Sequence, residues 1–470
     1  MIFRRLYHDR LAQASYLIAC ETTRQALVVD PLRDIQPCLE AAAHEDVRIT
    51  YVTETHLHAD FLSGAEALAE ATGAELLLSA EGGEEAGRAR AERTGARPLR
   101  NGDTIDVGAV QVRARHTPGH TPEHLTFVVT DLATSPLPVG LLTGDLLFAG
   151  DVGRPDLLER AVGVQGSMTR AASQLFHSIQ TLRTLPEFLQ VWPGHGAGSG
   201  CGKSLGAVPQ TTLGYELHTN WAFQLHDEEA FVREALRDQP DPPAYFARMK
   251  ELNARGVSPM PPLEPMSQSA LLDAVRAGAR IVDVRASADF LRGHLRGAIS
   301  IPRSRTFLHW AGSLLEPDRE IVLVADPPVR DAALDAMRDL AVIGFDRVLG
   351  AVEPSALVEL APGGLSSVPV VSGAELAAHP NGGTVVDVRN ESEWAAGHIP
   401  GAIHVPLSRL AGRIEELRRL GPLVVHCQGG ARSAIAASLL RAGGIEDITD
   451  VEGGYPAWLR AAGLHARTQP

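Results

Sequence analysis

Hydrophobic residues in the first half of the chain fall into short, β-branched runs that are bounded by turn residues. Such runs predict strands, and the clearest are ALVVD (26–30), ITYVTET (49–55), AVQVRA (109–114), LTFVV (125–129) and VGLLTGD (139–145). Apolar residues that recur every three or four positions predict two amphipathic helices, at AEALAEATG (65–73) and MTRAASQLFHSIQTLRTL (168–185). This mixture of strands and helices indicates a layered α/β architecture.

Prolines crowd around one short helical pattern at residues 238–266, where the earlier pattern breaks. A chain of 470 residues is too long for one hydrophobic core, and the proline-rich stretch predicts an interdomain linker at 241–266. We therefore expect one domain at 1–240, before the linker, and two after it, at 267–362 and 370–470.

The second half contains an internal repeat. ARIVDVRASADFLRGHLRGAISIP (279–302) and GTVVDVRNESEWAAGHIPGAIHVP (383–406) follow one pattern. Each copy continues into a second apolar strand, EIVLVA (320–325) or PLVVHC (422–427), and then into a helical segment. Because strands that alternate with helices are typical of a parallel sheet, we expect two copies of one parallel α/β domain.

Charge and composition narrow the range of partners. The formal net charge is −14 and no block of Lys and Arg accumulates, which argues against nucleic acid or an anionic membrane surface. No stretch reaches the roughly 18 to 20 apolar residues that span a bilayer, and the start of the chain lacks an apolar signal segment, so we expect a cytoplasmic protein. Four scattered cysteines are too few for a disulfide scaffold. A small-molecule partner is expected, and the sequence leaves a homo-oligomer open.

Histidines and aspartates collect where the predicted strands end. An H-x-H-x-D motif (56–60) directly follows one strand, and PGHT (118–121), TGD (143–145) and PGHG (193–196) each end a strand or open a loop. A lone H-x-H carries little information, but the full set is specific. Imidazole and carboxylate groups from separate loops suit a two-histidine, one-carboxylate site, which holds a metal on one face and leaves its other positions open.

In order and context this set resembles the metallo-β-lactamase superfamily over about residues 1–225, and the resemblance implies an αβ/βα sandwich. In the dinuclear hydrolases of the superfamily the motif continues to a further histidine, but here Phe61 follows Asp60. A hydrolytic two-metal clamp needs ligands for both ions, and an apolar ring offers none. One metal is therefore favoured over two.

The persulfide dioxygenase branch resembles this arrangement, and it implies one Fe(II) per chain, with zinc as the alternative. The implied ligands are His56, His120 and Asp145. Three further residues are implied to lie near the metal without binding it and to orient ligands or substrate: His58, Asp60 and His195. His116 and His124, which flank PGHT, are interpreted as residues that satisfy buried loops and are left out of the site.

The glycine-rich loops at 146–160 and 193–221 resemble persulfide dioxygenases that carry rhodanese domains. Arg154 and Lys203 are candidates for pairing with the carboxylates of a thiol carrier such as glutathione or coenzyme A, and solvated surface charge is the alternative. Cys201, in the second loop, is a candidate for facing the substrate and handling sulfane sulfur, and loop packing is the alternative.

Cys427 ends the strand PLVVHC and is followed by a glycine-rich turn and a helix with periodic apolar residues. The backbone amides of such a turn and the helix N-terminus form a positive cradle that would stabilise an anionic persulfide. Arg432 adds a fixed positive charge beside it. The other residues of the predicted cradle are Gln428, Gly429, Gly430, Ala431 and Ser433.

This Cys-x-x-Gly-x-Arg pattern, together with VVDVRNESEW (385–394), resembles the rhodanese family of sulfurtransferases over nearly all of residues 370–465. The resemblance implies that Cys427 is the catalytic nucleophile and that Asp387 and Arg389 are structural. Dual-specificity phosphatases have a similar loop that is one residue longer, so sulfur is favoured over phosphate as the cradled atom.

The first copy of the repeat lacks this chemistry. Ala325 occupies the cysteine position, Arg330 occupies the arginine position, and Pro327 and Pro328 replace the two glycines. Because proline has no backbone N–H, the cradle also loses amide donors. We expect this copy to be a structural spacer or a docking surface.

Together the two motif sets imply a persulfide dioxygenase that uses O2 to oxidise the sulfane sulfur of a low-molecular-weight persulfide to sulfite. Rhodanese transfer of sulfur to or from thiosulfate would be coupled to it. The alternative is a glyoxalase-II-like zinc thioester hydrolase with an accessory sulfurtransferase domain. A sulfide-responsive binding protein with vestigial motifs is disfavoured, because both motif sets are intact in one chain.

Overall fold

The computed structural model describes residues 1–83, 89–203, 205–361, 363–379 and 382–463. The predicted domain ends at 362 and 470 lie outside the described residues. The chain forms two compact units, Met1–Pro261 with Ala341–Gly344 and Pro262–Leu340 with Phe345–Pro470. The first unit holds the metal-site motifs, and the second holds both copies of the repeat.

The first unit contains two six-stranded sheets in which neighbouring strands are also neighbours in sequence. The strands of the first sheet are β1 (Ile2–His8), β2 (Gln13–Ala19), β3 (Gln25–Val29), β4 (Arg48–Thr53), β5 (Glu75–Ser79) and β6 (Arg97–Leu99). The strands of the second sheet are β7 (Thr104–Val107), β8 (Val110–His116), β9 (Leu125–Asp131), β10 (Gly140–Gly144), β11 (Gln190–Pro193) and β12 (Thr211–Thr212). Strands β3 to β6 are parallel, as are β10 and β11, and the other pairs are antiparallel.

Alternating side chains explain the layers of this unit. Tyr16 and Ile18 of β2 point into a core that they share with Phe127 and Val129 of the second sheet, whereas Leu17 packs toward the helices on the outer face of the first sheet. Because successive side chains of a strand point to opposite faces, an uninterrupted apolar run is buried on both. A further core covers the outer face of the second sheet. The unit is the αβ/βα sandwich that the sequence predicts.

The helices of the first unit are α1 (Gln36–His44), α2 (Ala65–Thr72), α3 (Ala89–Thr94), α4 (Leu157–Arg160), α5 (Ser167–Leu182), α6 (Leu213–Thr219), α7 (Trp221–Gln224), α8 (Glu228–Leu236) and α9 (Phe246–Arg255). Helices α2 and α5 confirm the two predicted amphipathic helices. Helix α9 lies in the segment predicted as a linker, yet Phe246, Met249 and Asn253 on it are buried. This part of the segment therefore belongs to the first unit.

The second unit contains two sheets in which every neighbouring pair of strands is parallel. The first copy supplies β13 (Arg280–Asp283), β14 (Ile299–Ser300), β15 (Ile321–Val324) and β16 (Val348–Val352), and the second supplies β17 (Val370–Ser372), β18 (Thr384–Asp387), β19 (Ile403–His404), β20 (Leu423–His426) and β21 (Ile448–Glu452). The helices are α10 (Gln268–Arg276), α11 (Ser287–Arg292), α12 (Phe307–Leu314), α13 (Val329–Ala341), α14 (Gly373–Ala378), α15 (Glu391–Ala395), α16 (Ile414–Leu417), α17 (Ala431–Ala442) and α18 (Gly454–Ala461). The predicted pair of parallel α/β domains is confirmed.

Helix α17, which follows Cys427, is buried on all sides. Eight consecutive residues from Ser433 to Leu440 are buried, and a helix of this kind must be covered on every face. Strands β20 and β21 cover one side, and β14 of the first copy contacts the helix as well. The backbone N–H of Ser300 on β14 donates to the hydroxyl of Ser438 at 3.0 Å. The copy without a nucleophile thus supports the helix that follows the Cys427 loop.

None of the described helices is both long enough and apolar enough to cross a membrane.

Candidate metal centre and sulfur-transfer loop

The three candidate metal ligands, and His195 beside them, come from loops that follow strands of the first unit. His56 follows β4, Asp145 follows β10, His195 follows β11, and His120 lies between β8 and β9. All four side chains are buried. The Nε2 atoms of His120 and His195 each lie 3.5 Å from Oδ2 of Asp145, and that of His56 lies 3.8 Å away. His56, His120 and Asp145 present ligand atoms within 4.8 Å of one another, as a single ion requires.

The protein also fixes the second ring nitrogen of these histidines. Nδ1 of His120 donates to the carbonyl of Arg154 at 3.1 Å, and Nδ1 of His195 donates to the carbonyl of Ala12 at 3.2 Å. Because a carbonyl can only accept, each Nδ1 carries the proton and each Nε2 presents a lone pair. Metal-binding histidines in proteins are oriented by such outer hydrogen bonds.

Asp30, directly after β3, controls the H-x-H loop. Its carboxylate accepts hydrogen bonds from the backbone N–H of Thr55 at 2.6 Å and from the hydroxyl of Thr55 at 2.9 Å. Because the hydroxyl proton points to Asp30, Oγ1 of Thr55 accepts from Nδ1 of His56 at 2.9 Å. Nε2 of His56 is therefore free for a metal. Sequence reasoning missed Asp30, although this acid ends the predicted strand run ALVVD.

His58 is held away from the ligand set. Its Nε2 lies 3.2 Å from Oδ1 of Asp30, and its ring stacks on Phe61 with the ring centroids 4.2 Å apart. Burial opposes protonation of His58, but Asp30 raises its pKa to about 9. Asp30 thus engages Nε2 of His58, whereas the buried Nδ1 of that ring has no hydrogen-bond partner among the described residues. Phe61 is fully buried, so an apolar ring fills the position of the missing ligand.

Asp60, His195 and Cys201 form a second group beside the first. Their ligand atoms lie within 4.8 Å of one another, and Oδ2 of Asp60 lies 3.4 Å from Nε2 of His195. Burial, together with Asp60 and Asp145, raises the pKa of the Cys201 thiol well above its ordinary value. The thiol is therefore protonated at neutral pH. The structure brings Cys201 to the centre, a position that a sulfur-handling role requires.

The residues of the centre fit a bound metal ion. No described residue gives either oxygen of Asp145 or of Asp60 a hydrogen bond of normal geometry, although both carboxyl groups are buried. Burial raises the pKa of Asp145 to about 6. A buried carboxylate without a partner is costly, and a cation would satisfy it. A Cβ at Gly194 would lie 2.6 Å from Oδ1 of Asp145, so glycine is required there. Nitrogen and oxygen donors of this kind suit Fe(II) or Zn(II).

The two residues that the sequence predicts to bind a thiol carrier have partners within the protein. Arg154 is fully buried, and its Nε and Nη2 donate to the two oxygens of Asp156 at 2.8 and 2.7 Å. Its guanidinium also donates to two backbone carbonyls. Nζ of Lys203 donates to the carbonyl of Glu234 at 2.8 Å. These contacts favour structural roles over the predicted contacts with a carrier, because most of the donors are already used.

His124 and His116 satisfy loops around the centre, as their interpretation from the sequence implies. Nε2 of His124 accepts from the backbone N–H of Asp145 at 3.1 Å, and Nδ1 of His124 lies 3.0 Å from the hydroxyl of Thr117. Burial lowers the pKa of His124 to about 3, so the ring stays neutral and able to accept. Nε2 of His116 hydrogen-bonds to the carbonyl of Pro122 at 2.8 Å.

Asn253 of α9 fastens that helix to the H-x-H-x-D loop. Its side-chain oxygen accepts from the backbone N–H of Ser63 at 2.9 Å, and its amide nitrogen donates to the carbonyls of His58 and Phe61 at 2.9 and 2.8 Å. Sequence reasoning missed this residue, because its segment was predicted as a linker. No local motif marks it, since its partners lie about 190 residues earlier in the chain.

In the second unit, Cys427 follows β20 and is buried. The backbone N–H of Gly430 donates to its Sγ at 3.1 Å, and Oγ of Ser433 lies 3.7 Å from the sulfur. Gly430 has a φ of 98°, a conformation that glycine adopts without strain. The remaining predicted cradle residues are exposed at the turn and the start of α17: Gln428, Gly429 and Ala431. The loop thus directs one amide proton at the sulfur, whereas the hydroxyl of Ser433 donates to the carbonyl of Gly430 at 3.1 Å and accepts from the thiol.

Arg432 is paired within the protein. It forms a bidentate ion pair with Glu393, with nitrogen to oxygen distances of 2.6 and 2.7 Å. The sequence does not identify this partner, which lies in α15, and the pair offsets much of the charge assigned to Arg432. The closeness of the next helix to the loop depends on Gly454, because a Cβ there would lie 2.2 Å from the carbonyl oxygen of Cys427.

Both copies of the repeat share a buried Asp-x-Arg clamp. In the second copy Nε and Nη2 of Arg389 donate to Asp387, and Nη2 also reaches a backbone carbonyl eight residues onward. In the first copy Arg285 binds Asp283 and an equivalent carbonyl in the same way. Ala325 follows β15 where Cys427 follows β20. The first copy has kept the clamp that holds the fold and lacks the nucleophile.

Replacement of His120 by alanine is expected to remove the metal, because one of three ligands is lost. We expect about one metal ion per wild-type chain and affinity at least roughly 100-fold weaker in His120→Ala, measured by elemental analysis after dialysis. His116→Ala is the matched control and should retain the metal. Metal retained in His120→Ala would contradict the ligand assignment, and two ions per wild-type chain would contradict a single-metal centre.

Asp450 of β21 should make the stability of the second unit depend on pH. Burial raises its pKa to about 7 from 3.8, although a hydrogen bond from Ser433 opposes this. Between pH 3.8 and about pH 7, Asp450 of the folded protein keeps a proton that the unfolded chain has released. The free energy of unfolding therefore falls as the pH rises through this range. Asp450→Asn should raise the melting temperature above about pH 7 by an amount that vanishes below about pH 4. Exposed Asp447→Asn is the control, and an equal, pH-independent shift in both variants would disprove the assignment.

Comparison with known proteins identifies both parts of the chain. The model of the Metallo-beta-lactamase superfamily matches residues 8–195, and that of the Rhodanese-like domain matches residues 267–349 and 372–461. Hydroxyacylglutathione hydrolase of Nitrosococcus oceani is 30% identical over 51% of this chain and 93% of its own length. Mitochondrial persulfide dioxygenase ETHE1 of Bos taurus is 26% identical over 42% of this chain and 68% of its own length.

A solved structure extends the likeness over both units. The crystal structure of a metallo-beta-lactamase from Staphylococcus aureus subsp. aureus COL is 39% identical, covers 75% of this chain and 99% of its own, and superposes with a TM-score of 0.67. The chain therefore belongs to the metallo-beta-lactamase superfamily, and two rhodanese-like domains follow its metal-binding domain.

Proposed function

We propose that this chain is a persulfide dioxygenase fused to a sulfurtransferase. In this proposal it oxidises the sulfane sulfur of a persulfide of glutathione or coenzyme A type to sulfite at one Fe(II) ion, and Cys427 transfers sulfur to or from thiosulfate. The observation that carries the proposal is the convergence of His56, His120 and Asp145. Two histidines and one carboxylate on one face leave open positions for a sulfur substrate and dioxygen.

The residues around this triad support one ion over two. Nε2 of His58 is engaged by Asp30 at 3.2 Å, and His58 is not among the three groups whose ligand atoms converge. Phe61, stacked on His58, offers no donor to a second ion. A dinuclear hydrolase needs both ions to hold the attacking and leaving groups. A mononuclear centre is consistent with redox chemistry at a single open face.

The proposed reaction converts a persulfide, dioxygen and water into a thiol, sulfite and two protons. The terminal sulfur is oxidised, dioxygen is reduced, and the bond between the two sulfur atoms breaks. Fe(II), when bound, would supply the coordination positions and the electron transfer that dioxygen chemistry needs. The chain orients His120 and the neighbouring His195 through the carbonyls that hold them, and it excludes bulk water by burial. The protonated thiol of Cys201 lies beside the site where the sulfur would sit.

Sulfur transfer is proposed to occur at Cys427. A persulfide on its Sγ would be held by the backbone N–H of Gly430, and by the hydroxyl of Ser433 once its proton turns from the carbonyl of Gly430 to the sulfur. When sulfite attacks the outer sulfur, the bond to Sγ breaks, thiosulfate leaves and the electron pair stays on Cys427 as a thiolate. In the reverse direction the thiolate attacks thiosulfate, and sulfite leaves.

Zinc-dependent thioester hydrolysis is the competing function, and the 30% identity to hydroxyacylglutathione hydrolase favours it. We expect protein purified without oxygen to contain iron, to consume dioxygen with glutathione persulfide or coenzyme A persulfide, and to release about one sulfite per dioxygen. The measurements are elemental analysis, an oxygen electrode and sulfite determination. Zinc, no oxygen uptake and cleavage of a glutathione thioester would establish the hydrolase in its place.

Cys427→Ser should separate the two activities, because the nucleophile lies in the second unit and the metal ligands lie in the first. We expect thiosulfate sulfurtransfer to fall on the order of 1000-fold or more, while oxygen uptake with persulfide stays within about twofold of wild type. The control is Cys38→Ala, which removes a buried thiol of the first unit and should leave both activities. Loss of oxygen uptake in Cys427→Ser would contradict independent sites.

A further inference from the structure

Lys250, on α9, is a buried cation without a partner. Its side chain is only 8% exposed, and the described residues give its ammonium no hydrogen bond and no ion pair within 4 Å. Burial of an ammonium is costly unless it is paired. A largely buried lysine with no partner in the fold therefore indicates a bound anionic ligand.

Helix α9 places Lys250 beside the metal centre. Asn253, one turn later on α9, is bound to the H-x-H-x-D loop, so Lys250 lies on the face of the helix that covers this loop. The ammonium lies within electrostatic range of His56 and His120. Glu123 and Cys201 also lie within electrostatic range of the ammonium. The positive charge thus acts on the groups around the ion.

Tyr245 gives a second unpartnered polar group at the same place. It is 7% exposed, and no described residue hydrogen-bonds to its hydroxyl. Burial raises its pKa well above the ordinary value, with Asp60 and Cys201 as the charged groups nearby. The hydroxyl therefore keeps its proton and can donate. Within six residues, the segment supplies two unused donors beside the centre.

The composition of the chain singles out Lys250 as well. Among 43 basic residues only Lys203 and Lys250 are lysines, and all others are arginines. Arginine presents a flat fork of five donors, whereas lysine is a compact point charge that can approach a small anion from one side. The use of lysine at this position is what recognition of a small anion requires. The scarcity of lysine is visible in the sequence, but it can be interpreted only once α9 is known to lie beside the metal ligands.

We propose that Lys250 and Tyr245 form an anion-binding subsite at the metal centre, which holds the negatively charged sulfur group of the substrate or product. The anion is the terminal sulfur of a deprotonated persulfide or the sulfite formed from it. The inference rests on the proposed function for this choice of ligand. Such a subsite would disfavour a thioester group, because an uncharged thioester cannot compensate the ammonium.

The test uses sulfite as the probe and the full-length chain loaded with Zn(II), so that binding is measured without turnover. In Lys250→Met we expect the dissociation constant of sulfite, measured by calorimetry, to rise roughly 10- to 100-fold, and in Lys250→Arg to rise less. The melting temperature of Lys250→Met should stay the same or increase, because an unpaired buried charge is removed. Arg255→Met removes an exposed charge from the same helix and should leave sulfite binding unchanged.

A second readout follows from the presence of only two lysines. With lysine labelled by carbon-13 at the ε position, the Zn(II) protein should give two side-chain resonances, which Lys203→Arg assigns. Sulfite is expected to shift the resonance of Lys250. An unshifted Lys250 resonance, or a dissociation constant that changes less than twofold in Lys250→Met, overturns the subsite. A fall in melting temperature with unchanged binding overturns it too, since that result identifies a structural lysine.

Failure of the subsite and failure of the proposed function give different results. If wild-type protein with iron consumes no oxygen, yet Lys250→Met loses sulfite binding, the subsite stands and the dioxygenase proposal fails. If oxygen is consumed with persulfide while sulfite binding and the Michaelis constant are the same in Lys250→Met and wild type, the subsite fails alone.

Discussion

The buried carboxylate of Asp30 holds both histidines of the H-x-H-x-D loop in their orientations. It accepts two hydrogen bonds from Thr55, which fixes the ring proton of His56, and it holds Nε2 of His58 at 3.2 Å. Asp30 has a φ of 54°, a rare conformation for a residue with a side chain. The turn after β3 is therefore held by the contacts of this carboxylate, and the ligand geometry depends on that turn.

The sequence predicts those parts of the molecule that local patterns encode. Apolar runs with a period of two locate strands such as β8 and β9, and metal-binding or nucleophilic residues are found easily when they directly follow a strand, as Asp145 and Cys427 do. Asn253 could not be predicted, because its partners lie far away in the chain. For a related reason, the sequence suggests Arg154 as a candidate for binding a thiol carrier. A charged residue in a glycine-rich loop resembles an exposed one until the loop folds inward onto Asp156.

Charge is balanced differently at the metal centre and at the Cys427 loop. At the metal centre, the buried carboxylates of Asp60 and Asp145 have no hydrogen-bond partners in the described part of the chain, so the local charge is incomplete without a cation. At the sulfur loop, Arg432 is already neutralised by Glu393, and the contacts to Cys427 come from an amide and a hydroxyl. A cradle made of dipoles holds a sulfur anion less tightly than a free cation would. That weaker hold suits a sulfur atom that must arrive and leave again.

In the second unit the residues around Cys427 come from one copy of the repeat, but the packing of helix α17 involves both copies. All the groups that touch Cys427 belong to the second copy, but the first copy covers part of the helix on which the loop depends. A fragment cut between the copies would keep every cradle residue and would expose an apolar side of its central helix to water. Selection can therefore preserve the first copy for its packing alone. A duplicated domain without a nucleophile then serves to complete the hydrophobic core around α17.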